Sequence, residues 1–117
     1  MTDPDIETAK QVAHQWLAFV DAFDYEGSWA QTATRFRQSI TSADWASRLR
    51  LGRTALGPLT SRNLAVAQRV RDVPDAPPGE YIQLQYHSIY DQTKAMVETV
   101  ALAREDDQWR VTGHFVR

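Results

Sequence analysis

Leu56-Gly57-Pro58-Leu59-Thr60-Ser61-Arg62-Asn63-Leu64-Ala65-Val66-Ala67-Gln68-Arg69-Val70 is where the chain changes its period. Before it, Trp45, Leu49, Gly52 and Leu56 recur at helical steps, and Gly57-Pro58 supplies a helix stop. After it, Arg62, Leu64, Val66, Gln68 and Val70 alternate with their neighbours, the period of a strand. Everything N-terminal to this point reads as helix and everything C-terminal as strand.

Working back, Thr41-Ser42-Ala43-Asp44 places an acid three residues after a hydroxyl, like a capping box, and predicts a helix over about 42–56. Trp29, Ala33, Phe36 and Ile40 at steps of four, three and four, with Ser28 as N-cap, predict a helix over about 28–38. Ile6, Ala9, Ala13, Trp16, Leu17 and Val20 give the apolar face of a helix over about 5–24, with Lys10, Gln11, His14 and Asp21 on its other side. Working forward, strands are expected over about 60–71, 80–90, 94–105 and 108–117, inward at Ile82-Leu84-Tyr86, Met96-Val100-Leu102 and Trp109-Val111-Gly113-Phe115. The connections Asp91-Gln92-Thr93 and Asp106-Asp107 are short enough for hairpins, so neighbours should pair antiparallel. Helices first and strands after is the α+β order, three N-terminal helices on one curved four-stranded antiparallel sheet. The Asp72 to Gly79 loop is too short to separate domains, so residues 1–117 are read as one.

Composition narrows the function classes. The chain has 117 residues, 43% of them hydrophobic and 24% charged, which excludes a disordered or fibrous protein. No apolar run approaches the roughly 20 residues of a membrane span, and Met1-Thr2-Asp3-Pro4-Asp5 is too acidic for an export signal. There are no cysteines, hence no disulfide, thiolate metal site or Cys nucleophile. The net charge of −2 hides three blocks: −5 over residues 1–30, +7 over 31–71 and −4 over 72–117. The middle block carries eight arginines, yet no nucleic-acid reading motif accompanies them and acidic segments flank it, so no nucleic-acid partner is expected.

Trp16-Leu17-Ala18-Phe19-Val20-Asp21, Asp24-Tyr25, Ser28-Trp29, Trp45, Leu56-Gly57, Ser61-Arg62, Gly79-Glu80-Tyr81, Glu98-Thr99-Val100 and the closing Trp109-Arg110-Val111-Thr112-Gly113-His114-Phe115-Val116-Arg117 resemble a bacterial family known as domain of unknown function 4019. The likeness runs from about Val12 to the end. It implies a cystatin-like or nuclear-transport-factor-like cone, a bent sheet wrapped on a helix. Members often begin with an export signal, which implies a periplasmic setting if a leader has been removed. Two positions depart from the pattern: Phe23 stands where a glycine is usual and His114 where a tyrosine is usual. The family supplies no catalytic residues.

The residues expected to carry function are charges in phase with an apolar strand face. Glu98 alternates with Met96, Val100 and Leu102, and Arg62 with Leu64 and Val66, so two opposite charges should face one concavity. A mutual ion pair, or one in which Arg53 takes one side, is the expected solution, because an unpaired charge there is costly. The sharper reading is a ligand site of Arg62, Tyr86, Glu98 and Arg53 for an anionic or amphipathic small molecule. A third reading makes Glu98 the base of an isomerase- or dehydratase-like enzyme, with Tyr86 as oxyanion donor. A filled interior around the Arg62–Glu98 pair would speak against both pocket readings.

His14, His87 and His114 are expected in solvent, and no metal site or cofactor is expected, since nothing pairs them at ligand spacing. The outward phase of the second strand, Tyr81, Gln83, Gln85 and His87, joined by Thr99, Arg110, Thr112 and His114, suits a wet interface, and a homodimer through that face is expected. The leading functional expectation is therefore a non-catalytic binding or interaction module.

Overall fold

The computed structural model describes residues 3–71, 73–91 and 93–117. Met1, Thr2, Asp72 and Gln92, which the sequence placed at the N-terminus, in the first interstrand loop and in the second hairpin, lie outside the described residues. Helices α1 (Pro4–Asp21), α2 (Tyr25–Ala30), α3 (Thr34–Ser39) and α4 (Ser42–Leu56) precede strands β1 (Leu59–Val70), β2 (Tyr81–Tyr90), β3 (Met96–Glu105) and β4 (Gln108–Val116). The strands form one antiparallel sheet in the order β1-β2-β3-β4, so the architecture is α+β as the order of periods implies. No helix among the described residues is long and apolar enough to cross a membrane.

Each helix begins and ends for a local reason. Asp3 accepts a hydrogen bond from the Asp5 amide ahead of Pro4, a residue suited to the first helical turn. One ridge of α1, Ala9, Ala13, Trp16, Leu17 and Val20, is buried against the sheet. The helix ends at Asp21, short of the expected 24, because Phe23 enters the left-handed region at φ 63°. Asp24, not Ser28, then caps α2 by accepting from the Gly27 amide at 2.9 Å. A Cβ on Gly27 would lie 2.3 Å from the Asp24 carboxylate, so this cap requires glycine.

The single helix expected over 28–38 is two short helices. Thr32 forms a parallel bridge to Val111, and the Ala33 amide donates to the Val111 carbonyl at 2.8 Å, so the chain breaks its helix to dock on β4. Ser28 is fully buried inside α2. Its carbonyl accepts from Trp16 Nε1 at 2.8 Å and its hydroxyl from Trp45 Nε1 at 3.0 Å, tying α1 to α4. Thr41 accepts from the Asp44 amide at the start of α4, and Gly57 at φ 78° ends that helix. Trp16, Trp45 and Trp109 are buried, and Trp29 packs against the same cluster.

Pairing sets which side chains face the helices. β2 runs without a bulge: Ile82, Leu84, Tyr86, Ser88 and Tyr90 face inward and are buried, while Tyr81, Gln83, Gln85 and His87 face outward. β1 shifts register between Leu64 and Val66, and β4 between Val111 and Gly113. A one-residue shift exchanges the faces of every residue beyond it. Val66 and Phe115, both expected in the core, are therefore exposed on the outer face, at 39% and 54%.

Candidate functional site

Glu98 is the only acidic residue of the described chain with no exposed surface, and it sits between strands that each deliver a partner. From β1, Arg62 Nε donates to Glu98 Oε1 at 2.8 Å. From β2, the Ser88 hydroxyl at 2.8 Å and the Tyr90 hydroxyl at 2.9 Å donate to the same oxygen. From β4, His114 Nε2 lies 2.6 Å from Oε2, and because an ionised carboxylate only accepts, the imidazole N–H is the donor. Tyr86 is the direct cross-strand partner of Glu98.

A second carboxylate closes the cluster from the helix side. Asp21 accepts from Arg62 Nη1 and Nη2 at 2.7 and 3.1 Å and from Arg53 Nη1 at 3.0 Å. Arg53 comes from the last turn of α4, and its guanidinium carbon lies 5.0 Å from the centre of the Tyr90 ring. Two arginines thus face two carboxylates in the interior, which is the neutral arrangement that burial requires.

The electrostatics follow from these contacts. Burial pushes the Glu98 carboxyl up, but the His114 hydrogen bond and the Arg62 guanidinium outweigh it and hold the group down to about 2. The Tyr86 and Tyr90 phenols are both pushed up to about 12, chiefly by burial and, further, by the nearby Glu98 charge. Burial works against the Arg62 charge, and the Asp21 and Glu98 carboxylates more than restore it, so its pKa rises.

Arg62 and Glu98 are brought together as their phase implied, Tyr86 lies across from Glu98, and Arg53 joins through Asp21 rather than through Glu98. Tyr81, Gln83, Gln85 and His87 share the outer face. His114 does not: expected in solvent and at the outer interface, it faces inward with a side chain only 5% exposed. The register shift at Thr112 is the cause, since His114 pairs with the buried Val100. The imidazole expected in solvent therefore falls inside the charged cluster.

Reading the sequence missed Asp21, Ser88 and Tyr90. Asp21 was assigned to the solvent side of α1, yet it stands on the Ala9-Ala13-Leu17 line at steps of four. Ser88 and Tyr90 continue the inward phase of Ile82, Leu84 and Tyr86, so their placement was available from parity alone. Among the described residues, no group of three or more His, Asp or Glu side chains is arranged to hold a metal ion.

Open space lies elsewhere. A groove of about 540 Å³ runs between the 73–80 loop and the outer sheet face, over Ala101, Ala103 and Phe115. Arg35 Nη2 donating to the Asp75 carbonyl at 2.8 Å and the Tyr81 hydroxyl donating to the Pro77 carbonyl at 2.6 Å hold the loop there. A smaller cavity of about 410 Å³ lies at the C-terminal end of α4, beside Phe23, Tyr25, Arg50 and Arg53.

No curated protein matches the chain. The family described as protein of unknown function (DUF4019) matches residues 12–114, which takes in β1 to β3, β4 as far as His114, α2 to α4, and the part of α1 that carries Asp21. The chain belongs to the DUF4019 family.

Proposed function

We propose that this protein is a non-catalytic interaction module that engages its partner through the outer face of the sheet, and that the partner is a second copy of the chain. The observation that carries the reading is the contrast in what each face leaves available. Val66, Ile89, Val97 and Phe115, four of the seven exposed large apolar residues of the described chain, stand on the outer face. Tyr81, Gln83, Gln85 and His87 surround them with amide, phenol and imidazole groups rather than with lysines and glutamates. Apolar patches rimmed by such groups mark contact surfaces.

The inner cluster offers a ligand or a substrate little. Both Glu98 oxygens already accept hydrogen bonds, and a carboxylate held down to about 2 is a poor proton acceptor at neutral pH. Arg62 spends its fork on Asp21 and Glu98. This favours an architectural role for the pair over the pocket and base readings.

Sedimentation equilibrium of wild type and Phe115→Lys over 1–200 µM tests the reading. A wild-type dimer that becomes a monomer in Phe115→Lys, with the melting temperature of the dilute monomer unchanged, is the expected result. A wild type that stays monomeric over that range, or a dimer indifferent to Phe115→Lys, overturns it.

A second reading, an amphipathic small-molecule ligand, is favoured by the 540 Å³ groove under the 73–80 loop. It predicts saturable binding of an apolar fluorescent probe by monomeric protein.

A further inference from the structure

The geometry points to a second site, independent of the outer face: a small anion-binding pocket at the C-terminal end of α4, built by Arg50, Arg53 and Thr54 with Tyr25 and Phe23 as its apolar wall, that takes a small aromatic or amphipathic carboxylate. The cavity of about 410 Å³ is at the lower end of the size range of small-molecule sites. Its lining carries two arginines and no acid.

Arg53 and Arg62 are balanced by Asp21 and Glu98, so the buried cluster is neutral without outside help. Arg50 is the surplus. It is exposed, makes no ion pair among the described residues, and rests its guanidinium 5.9 Å over the Tyr25 ring. Stacking on an aromatic face orients the planar fork, leaving its edge free to meet a carboxylate by two parallel hydrogen bonds.

Arg53 is also under-supplied. It is 96% buried by its 4% exposure, shares Asp21 with Arg62, and its Nε–H has no hydrogen-bond partner among the described residues. Its guanidinium is turned to Asp21 and the Tyr90 ring, so Arg53 walls the cavity while Arg50 and Thr54 are left to meet an anion.

The apolar wall explains the choice of ligand. Phe23 is held in the left-handed region at φ 63° with 63% of its surface exposed, and its ring meets Tyr25 edge-on at 6.2 Å. A non-glycine residue with that backbone is uncommon, and the structure retains it with an aromatic ring beside two cations. The ring of an aromatic carboxylate can lie against Phe23 while its carboxylate meets Arg50 and the Thr54 hydroxyl.

Calorimetric titration with benzoate, and with neutral benzamide as its isostere, decides the matter. Wild type is expected to bind benzoate saturably with a millimolar or tighter Kd and benzamide at least tenfold more weakly. Arg50→Gln, at an exposed position that leaves folding intact, should weaken benzoate at least tenfold, and Phe23→Gly should weaken benzoate but leave binding of acetate unchanged. Amide shifts on benzoate addition should map to Phe23, Tyr25 and Thr54. No saturable benzoate binding up to 50 mM, equal binding of benzamide, or an Arg50→Gln variant that binds like wild type would overturn the site. None of these outcomes depends on the oligomeric state, so this site and the outer-face reading fail separately.

Discussion

The two faces of one sheet solve opposite problems. On the inner face, Glu98, Arg62 and Arg53 are largely removed from water, Asp21 closes them from the helix side, and each of these charges is tied to at least one partner within 3.1 Å. On the outer face, Ile89, Val97 and Phe115 remain in water beside Gln85 and His87. The lesson is that polarity alone does not locate function: here the polar cluster is closed on itself, and the apolar face is the open one.

Breaking the closed face should give the largest effect. Glu98→Ala removes the carboxylate but leaves Arg62 almost buried with only Asp21, which it must share with Arg53. Removing one partner of a buried pair costs about 3–5 kcal/mol, and truncation to Ala adds a cavity. A drop in melting temperature of roughly 10 °C or more is expected by calorimetry. A loss below ~1 kcal/mol would mean that the cluster is solvated and the contrast between the faces is false.

Acid should open the same cluster without mutation. With its carboxyl held down to about 2 from the ordinary 4.5, folded Glu98 resists a proton that the unfolded chain accepts, so the unfolded state binds more protons as pH falls. The contribution is complete above about pH 5 and is lost as pH falls toward 2, on the order of 3 kcal/mol over that window. Asp3, Asp5 and Glu105 titrate in the same direction, each held below its ordinary value chiefly by a hydrogen bond, but they are partly exposed and belong to both variants. The stability gap between wild type and Glu98→Gln, followed by urea unfolding at pH 7, 5, 4 and 3, is therefore expected to shrink with falling pH. A gap independent of pH would remove Glu98 ionisation from the account.

What the sequence disclosed, and what it did not, divides along the bulges. In β2, alternation runs unbroken for ten residues, and parity alone put Tyr86 inward and Gln83, Gln85 and His87 outward. The Arg62–Glu98 pair followed from the same rule applied to β3 and to the stretch of β1 between its two register shifts. Beyond the shifts the rule inverts. Val66, Phe115 and His114 were assigned to the wrong face because an extra residue in one strand leaves no mark in a periodicity count. The helical half failed differently. Ser28 has the side chain of an N-cap, and only the three-dimensional position of Trp16 and Trp45 turns it into a buried acceptor. The break at Thr32 is set by docking on β4, a contact about eighty residues away in sequence that no local propensity encodes.

The smallest expected effect sharpens the contrast from the open side. Ile89 and Val97 are 42% and 38% exposed and pair across strands with Ser61 and His87, so neither supports the core cluster around Leu84 and Val100. Replacing either by Thr keeps a β-branched residue suited to a strand and removes only half-exposed methyl groups. Chemical denaturation of the dilute monomer should therefore change by no more than about 0.5 kcal/mol, as for ordinary surface positions. If the outer face is a contact surface, the same substitutions should lose more at high protein concentration than at low, because association adds stability by mass action only to the protein that associates. Equal losses at 1 and 200 µM would show that Ile89 and Val97 contribute to the fold alone. A loss of 2 kcal/mol in the dilute monomer would mean that the outer face is packed within the chain and that the two faces are not opposites.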